Sequence, residues 1–131
     1  MFLKQELNDM QDIIIVGAGG FGREVYELIE RLNAQEMTWN VLGFIDDNPD
    51  ALKKYDIPAS IIGSISDWQP SEGEMYAMAI AAPKTKAKVM HALRARGARF
   101  ATLLSDKVTI GKRTHLGEGV IIFDYTITGK C

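Results

Sequence analysis

The residues best placed to do chemistry in this chain are the glycines of Gly17-x-Gly19-x-x-Gly22. In this spacing the first glycine allows a tight turn, the second lets an anion approach the backbone, and the third lets a helix pack on a strand. A helix starting here presents N–H groups and the positive end of its dipole to a phosphate. The motif predicts phosphate or nucleotide binding at Gly17, Gly19, Gly20, Phe21 and Gly22. The alternative is a glycine turn that binds nothing.

The surrounding sequence supplies the elements that would position this turn. Residues 12–16 are β-branched and apolar apart from Asp12, which predicts a buried strand. After the glycines, apolar residues recur at helical spacing over residues 20–33, which predicts an amphipathic helix. The glycine motif alone is weak evidence for ligand binding, and its position between a predicted strand and a predicted helix strengthens that evidence.

Two carboxylates, Asp46 and Asp47, follow a predicted second strand that begins at Trp39. In a doubly wound sheet this position lies beside the glycine turn, where a carboxylate can accept hydrogen bonds from a ribose or a base. Asp46 is 29 positions after Gly17, whereas the dinucleotide fingerprint expects an acid about 20 residues on, which disfavours NAD. Alternatively, the two acids only cap the turn that follows.

Further elements complete an α/β pattern with parallel strands. We predict strands over 61–62, 75–82 and 99–104, and a helix from Pro83 to about Arg96. Lys84 would then lie at the carboxyl end of the fourth strand and could contact the same ligand.

Beyond these elements the sequence period changes. Aliphatic residues recur every six positions at Leu104, Ile110, Leu116 and Ile122. Such hexads are typical of a β-helix, whose short repeats must stack to bury their apolar sides. We therefore divide the chain into a lead-in (1–11), a Rossmann-like domain (12–104) and the first, incomplete β-helix coil (105–131). An ordinary hairpin is the alternative for the last segment.

Composition narrows the class of protein. The 131 residues carry a formal net charge of −2, so binding to bulk nucleic acid is not expected. From Pro83 to Arg113 there are nine Lys or Arg and one acid, which indicates a solvated basic face or a surface for an anionic partner.

Cys131 is the only cysteine, no stretch is apolar enough to span a membrane, and no secretion signal is evident. We expect a cytoplasmic protein with no membrane contact and no metal site.

The two predicted halves together resemble the sugar O- and N-acetyltransferases of the sialic acid O-acetyltransferase and bacillosamine-pathway type. That family joins a small Rossmann-like domain to a left-handed β-helix of hexapeptide repeats. The matching motifs are Ile15 to Gly22, Gly43 to Pro49, Gly97 to Leu103, Ile110-Gly111 and Leu116 to Gly119.

The resemblance implies a division of labour. The Rossmann-like domain would bind a nucleotide-linked sugar, often a UDP-sugar, with the glycine turn on phosphate and the two acids on the nucleoside. Acetyl-CoA would bind between the β-helices of a homotrimer, and a β-helix histidine would act as general base.

The chain departs from the family pattern at three places. The family's catalytic histidine lies on a later coil, so neither His91 nor His115 is assigned its role. Phe21 stands where the family usually has a histidine, and Ser105-Asp106 replaces a usual His-Pro. The resemblance therefore implies a truncated transferase that binds nucleotide-sugar without turnover and has no assigned catalytic residue.

Two other classes of function remain open at this point. An NAD(P)-binding Rossmann protein would use the same glycine fingerprint, although no Tyr-x-x-x-Lys pair or second substrate domain is present. A non-catalytic interaction or regulatory module would use the repeat segment as a docking surface.

Overall fold

The computed structural model describes residues 10–105 and 117–122. The described strands and helices, in chain order, are β1 (Gln11–Val16), α1 (Gly20–Gln35), β2 (Trp39–Ile45), β3 (Ile61–Gly63), β4 (Glu74–Met78), α2 (Pro83–Ala95), β5 (Leu103–Leu104) and β6 (Ile121–Ile122). No helix in these ranges is long and apolar enough to cross a bilayer.

The main sheet has four parallel strands in the order β3-β2-β1-β4. A bridge between Tyr76 and Phe100 places the chain after α2 along the free side of β4. This arrangement is one half of a doubly wound fold, in which the strand order reverses between β1 and its neighbour β4. It confirms the predicted α/β class with parallel strands.

The central strand β1 is buried on both faces because a helix covers each one. Ile13 and Ile15 point to the face covered by α1, whereas Ile14 and Val16 point to the face covered by α2. All four side chains are fully buried. Burial of an aliphatic side chain of this size stabilises a fold by about 1.5–3 kcal/mol. The continuous apolar run of β1 thus suits its position between β2 and β4, where both of its faces are covered.

A second, two-stranded parallel sheet joins β5 to β6. Leu103 pairs with Ile121 and Leu104 pairs with Ile122, so the paired residues are 18 positions apart in the chain. The Glu118 carboxylate, just before β6, accepts a hydrogen bond from the Phe100 N–H at 2.8 Å. It also lies 3.6 Å from the Arg94 guanidinium of α2. Residues 117–122 therefore pack against the larger unit.

α1 continues to Gln35, two residues past its predicted end near residue 33. Two other predicted boundaries were wrong. β4 ends at Met78 and not at residue 82, because only the Ala79 N–H still bonds to β1, through the Val16 carbonyl. The predicted fifth strand (99–104) is split between the Phe100 bridge and β5. Most of the lead-in, and Ile110 and Leu116 of the hexads, lie outside the described residues.

A partly buried polar network fixes the loop between β3 and β4. Trp68 Nε1 donates to the Tyr76 hydroxyl at 2.8 Å, and this hydroxyl donates to Glu74 Oε1 at 2.6 Å. Burial, together with the bond to Glu74, raises the pKa of Tyr76. From the end of α2, Arg96 Nη1 donates to the carbonyl of Trp68 at 3.1 Å. Trp68 is therefore a packing residue.

Candidate functional site

The glycine turn lies at the carboxyl end of β1, where the strand order of the sheet reverses. β4 pairs with β1 in parallel, so the segment after β4 meets the glycine turn at the same edge. The Ala79 N–H donates to the Val16 carbonyl, which holds the segment after β4 against the turn. On the other side, the Gly17 N–H donates to the Ile45 carbonyl of β2. In open α/β sheets, ligands bind in the crevice at this reversal point.

Two glycines of the motif are enclosed by backbone. Gly17 has φ +100°, and a Cβ added to it would lie 2.9 Å from the Ala79 carbonyl oxygen. A Cβ on Gly22 would collide with the Gly17 carbonyl. Both positions therefore require glycine for the turn itself, whether or not a ligand binds.

The other two glycines face open space. Gly19 and Gly20 are exposed, and a Cβ added to Gly19 would have no atom within 4 Å. Gly19 is the N-cap of α1, and no side chain caps this helix. Within the described ranges, the N–H groups of Gly19 and Gly20 have no protein acceptor. The turn thus offers two amide donors and the positive end of a helix dipole to an anion.

Asp46 bridges the glycine turn and the turn that follows β2. Its Oδ2 accepts a hydrogen bond from the Ala18 N–H at 2.8 Å, and its Oδ1 accepts one from the Asn48 N–H at 2.8 Å. The side chain is half-buried. Asp46 lies beside the glycine turn as predicted, and it also caps its own turn, as the alternative reading held. Contact between Asp46 and a nucleoside stays a prediction.

Asp47 serves a different loop. Its carboxylate accepts hydrogen bonds from the N–H and the hydroxyl of Ser66, each at 3.0 Å. The bond from the Ser66 N–H lowers the pKa of Asp47, since it favours the charged form. Asp47 is exposed and holds the segment after β3, so its contact with a ligand also stays a prediction.

Lys84 and Phe21 occupy the first turns of the two helices. Lys84 is exposed and follows Pro83, the first residue of α2, whose N-terminus likewise has no side-chain cap. The structure therefore places Lys84 at the ligand edge of the sheet, as predicted. Phe21 is half-buried and packs against the core on the α1 face. Ligand contact by Lys84 and by Phe21 stays a prediction.

Two pockets of the described part lie along the two helices. One of about 580 Å³ lies between the second half of α1 and the start of β2, with Tyr26 and Trp39 in its wall. Another, of about 470 Å³, lies along α2 beside Met90 and His91. Neither pocket is lined by a residue of the glycine turn, whose Gly19 and Gly20 are exposed.

Sequence reasoning missed two contributors to this edge. The first is Ala18, whose N–H donates to the Asp46 carboxylate. Ala18 lies within the glycine motif, but its methyl side chain gave no reason to consider it. Ser66, the partner of Asp47, lies 19 residues further along a loop with no recognisable motif. The turn-forming cluster Asp46-Asp47-Asn48-Pro49 was the only sequence signal that pointed towards either contact.

This chain is similar to known proteins both in sequence and in fold. Residues 12–93 match the family described as the PglD N-terminal domain. The chain is similar to a solved structure of the acetyltransferase domain of PglB from Neisseria gonorrhoeae FA1090, with 17% identity and a TM-score of 0.72. That match covers 90% of this chain and 65% of the other.

A second structure of the same domain, in complex with acetyl coenzyme A, matches with 18% identity and a TM-score of 0.68. It covers 92% of this chain and 65% of that one, so this chain spans about two thirds of both structures. Comparison with curated proteins gives no match. The family match covers more than half of the residues, and it includes the glycine turn and both acids. The chain therefore belongs to the PglD N-terminal domain family.

Proposed function

We propose that this chain binds a nucleotide-linked sugar, most simply a UDP-sugar, as part of an acetyl-CoA-dependent sugar acetyltransferase. One observation carries the proposal. Gly19 and Gly20 are exposed at the reversal point of the sheet, and their N–H groups have no protein acceptor among the described residues. Such amides at a helix start fit a phosphate or pyrophosphate.

The acetyl-transfer half of the proposal rests on the comparisons. Both similar structures are described as acetyltransferase domains, and one of them holds acetyl coenzyme A. We infer that acetyl-CoA is the donor. A sugar amine or hydroxyl would attack the thioester carbonyl, and the C–S bond would break to release coenzyme A as its thiolate. A base would take the proton of the acceptor and pass it to this thiolate. No described residue is assigned as that base. Nucleotide-sugars and acetyl-CoA are both cytoplasmic metabolites, which supports a cytoplasmic reaction.

The pairing of β5 with β6 supports a β-helix after the Rossmann-like unit. Three hexads span 18 residues, and Leu104 pairs in parallel with Ile122, 18 positions later. A coil made of three hexads would bring these two aliphatic positions into register. We propose that residues 105–131 form such a coil and that the protein assembles as a homotrimer through it, with acetyl-CoA between neighbouring coils.

Calorimetric titration tests the proposal directly. The chain is titrated with UDP, a UDP-amino-sugar, NADH and acetyl-CoA, and the series is repeated with Gly19→Val. We expect the two uridine ligands to bind and Gly19→Val to weaken both at least tenfold, because the new side chain fills the open space over the turn. Ala34→Val, at an exposed position of α1 roughly 20 Å away along the helix, is the matched control and should bind as the native chain does.

Three results would contradict the proposal. Binding of NADH without the uridine ligands would indicate a dinucleotide protein. Uridine binding that is unchanged in Gly19→Val would place the nucleotide elsewhere. An absence of binding by all four ligands would leave the glycine turn as a structural feature only.

A further inference from the structure

Asp46 is held in place from both sides of its carboxylate. Oδ2 is bound by the Ala18 N–H and Oδ1 by the Asn48 N–H, both at 2.8 Å. Its own N–H donates to the Gly63 carbonyl at 3.1 Å, which anchors the backbone of Asp46 to β3. Through its side chain and its own N–H, Asp46 therefore connects the glycine turn, the turn after β2 and the end of β3.

This connection divides the amides of the glycine turn into two groups. The Ala18 N–H is occupied by the carboxylate, whereas those of Gly19 and Gly20 are unoccupied within the described residues. A bound phosphate can therefore use the second group and not the first. The charge-assisted bond from Ala18 to Asp46 also restrains the turn beside Gly17, whose φ of +100° is confined largely to glycine.

We propose that Asp46 is a positioning residue, which holds the glycine turn so that the Gly19 and Gly20 amides face the phosphate, and does not itself bind the nucleoside. This inference rests on the proposed function for its ligand, but the restraint on the turn exists without one. It differs from the expectation that a carboxylate at the end of β2 accepts a ribose hydroxyl. The two roles predict different losses for ligands with and without phosphate.

The first test needs no ligand. Amide hydrogen exchange is followed by NMR in the native chain and in Asp46→Ala, with Asp12→Ala as control. Asp12 is also a carboxylate on a strand end, but it bonds to Asn40 at the opposite edge of the sheet. We expect exchange at Ala18 and Asn48 to accelerate at least tenfold in Asp46→Ala and not in Asp12→Ala. Unchanged exchange at Ala18 would overturn the proposal.

The second test compares UDP with uridine in Asp46→Glu. Glutamate keeps the negative charge but cannot place its two oxygens on the Ala18 and Asn48 amides as aspartate does. We expect UDP to bind about tenfold more weakly and uridine to change less than twofold, with Asp12→Glu leaving both unchanged. Equal weakening of uridine and UDP would show that Asp46 binds the nucleoside, which overturns the positioning role. Unchanged UDP affinity would overturn it as well.

The two tests separate the inference from the proposed function. If the native chain binds neither ligand, the proposed function fails, and the exchange of Ala18 still decides whether Asp46 restrains the turn. If UDP binds and Ala18 exchange does not respond to Asp46→Ala, the proposed function stands and the positioning role is wrong.

Discussion

The glycine turn contains two pairs of glycines with different reasons to be there. Gly17 and Gly22 are enclosed, and each would press a Cβ against backbone atoms. Gly19 and Gly20 are exposed, with room for a side chain. The first pair is required by folding, so its presence says little about function. The second pair is not required by packing, so its exposed position is the feature that supports ligand binding.

Replacing an enclosed glycine should have the largest effect on stability. In Gly22→Ala the new methyl group would overlap the Gly17 carbonyl, and neither backbone can move away without breaking the packing of α1 on β1. We expect a loss of more than about 3 kcal/mol in the free energy of unfolding, measured by urea denaturation. A loss below about 1 kcal/mol would show that the turn adapts and that the two pairs do not differ as described.

Gly17→Ala should come second. Here the strain comes from a positive φ, which costs about 1–3 kcal/mol for a residue other than glycine. The close contact with the Ala79 carbonyl adds to this cost. Urea denaturation beside Gly22→Ala measures the order of the two effects, and the opposite order would identify backbone strain as more important than overlap.

The exposed pair should behave in the opposite way. Gly19 has φ −79° and ψ −164°, a conformation open to any residue, so Gly19→Val should cost only about 1 kcal/mol in the free energy of unfolding, because valine is a poorer N-cap than glycine. Thermal or urea unfolding of this variant establishes that any lost ligand binding is not lost folding. A variant destabilised as much as Gly17→Ala would remove the distinction between the pairs.

The smallest effect concerns Asp47, the second acid after β2. The pKa of Asp47 is lowered in the folded state by the Ser66 N–H, so its stabilising contribution is present above the unfolded pKa and is lost as the pH falls through the folded pKa. The difference in unfolding free energy between the native chain and Asp47→Asn should therefore shrink from pH 6 to pH 3. Because Asp47 is exposed, solvent screening keeps this difference small.

A control variant identifies the donor responsible. Ser66→Ala removes the hydroxyl but keeps the N–H, which is the main cause of the lowered pKa, so most of the pH dependence should remain. If Ser66→Ala abolished the pH dependence, the hydroxyl would be the dominant donor.

Much of the fold was predictable because its signals are local. The apolar run of β1, the glycine spacing and the helical period of α1 lie within 25 consecutive residues, and each matches the structure to within two residues. Strand ends after residue 74 were less predictable. Whether Met78 or Ala82 ends β4 depends on how far its neighbour β1 extends, and β1 ends at Val16.

The sequence by itself determined which residue types the turn would contain and where the helices and central strands lie, since side-chain period and the φ preference of glycine act within a few residues. The tertiary structure alone decided which amides of the turn are occupied. The Ala18 N–H meets a carboxylate 28 residues away, and Phe100 meets Glu118 18 residues away. Such bonds depend on the distance between segments after packing, which no local pattern of residues encodes.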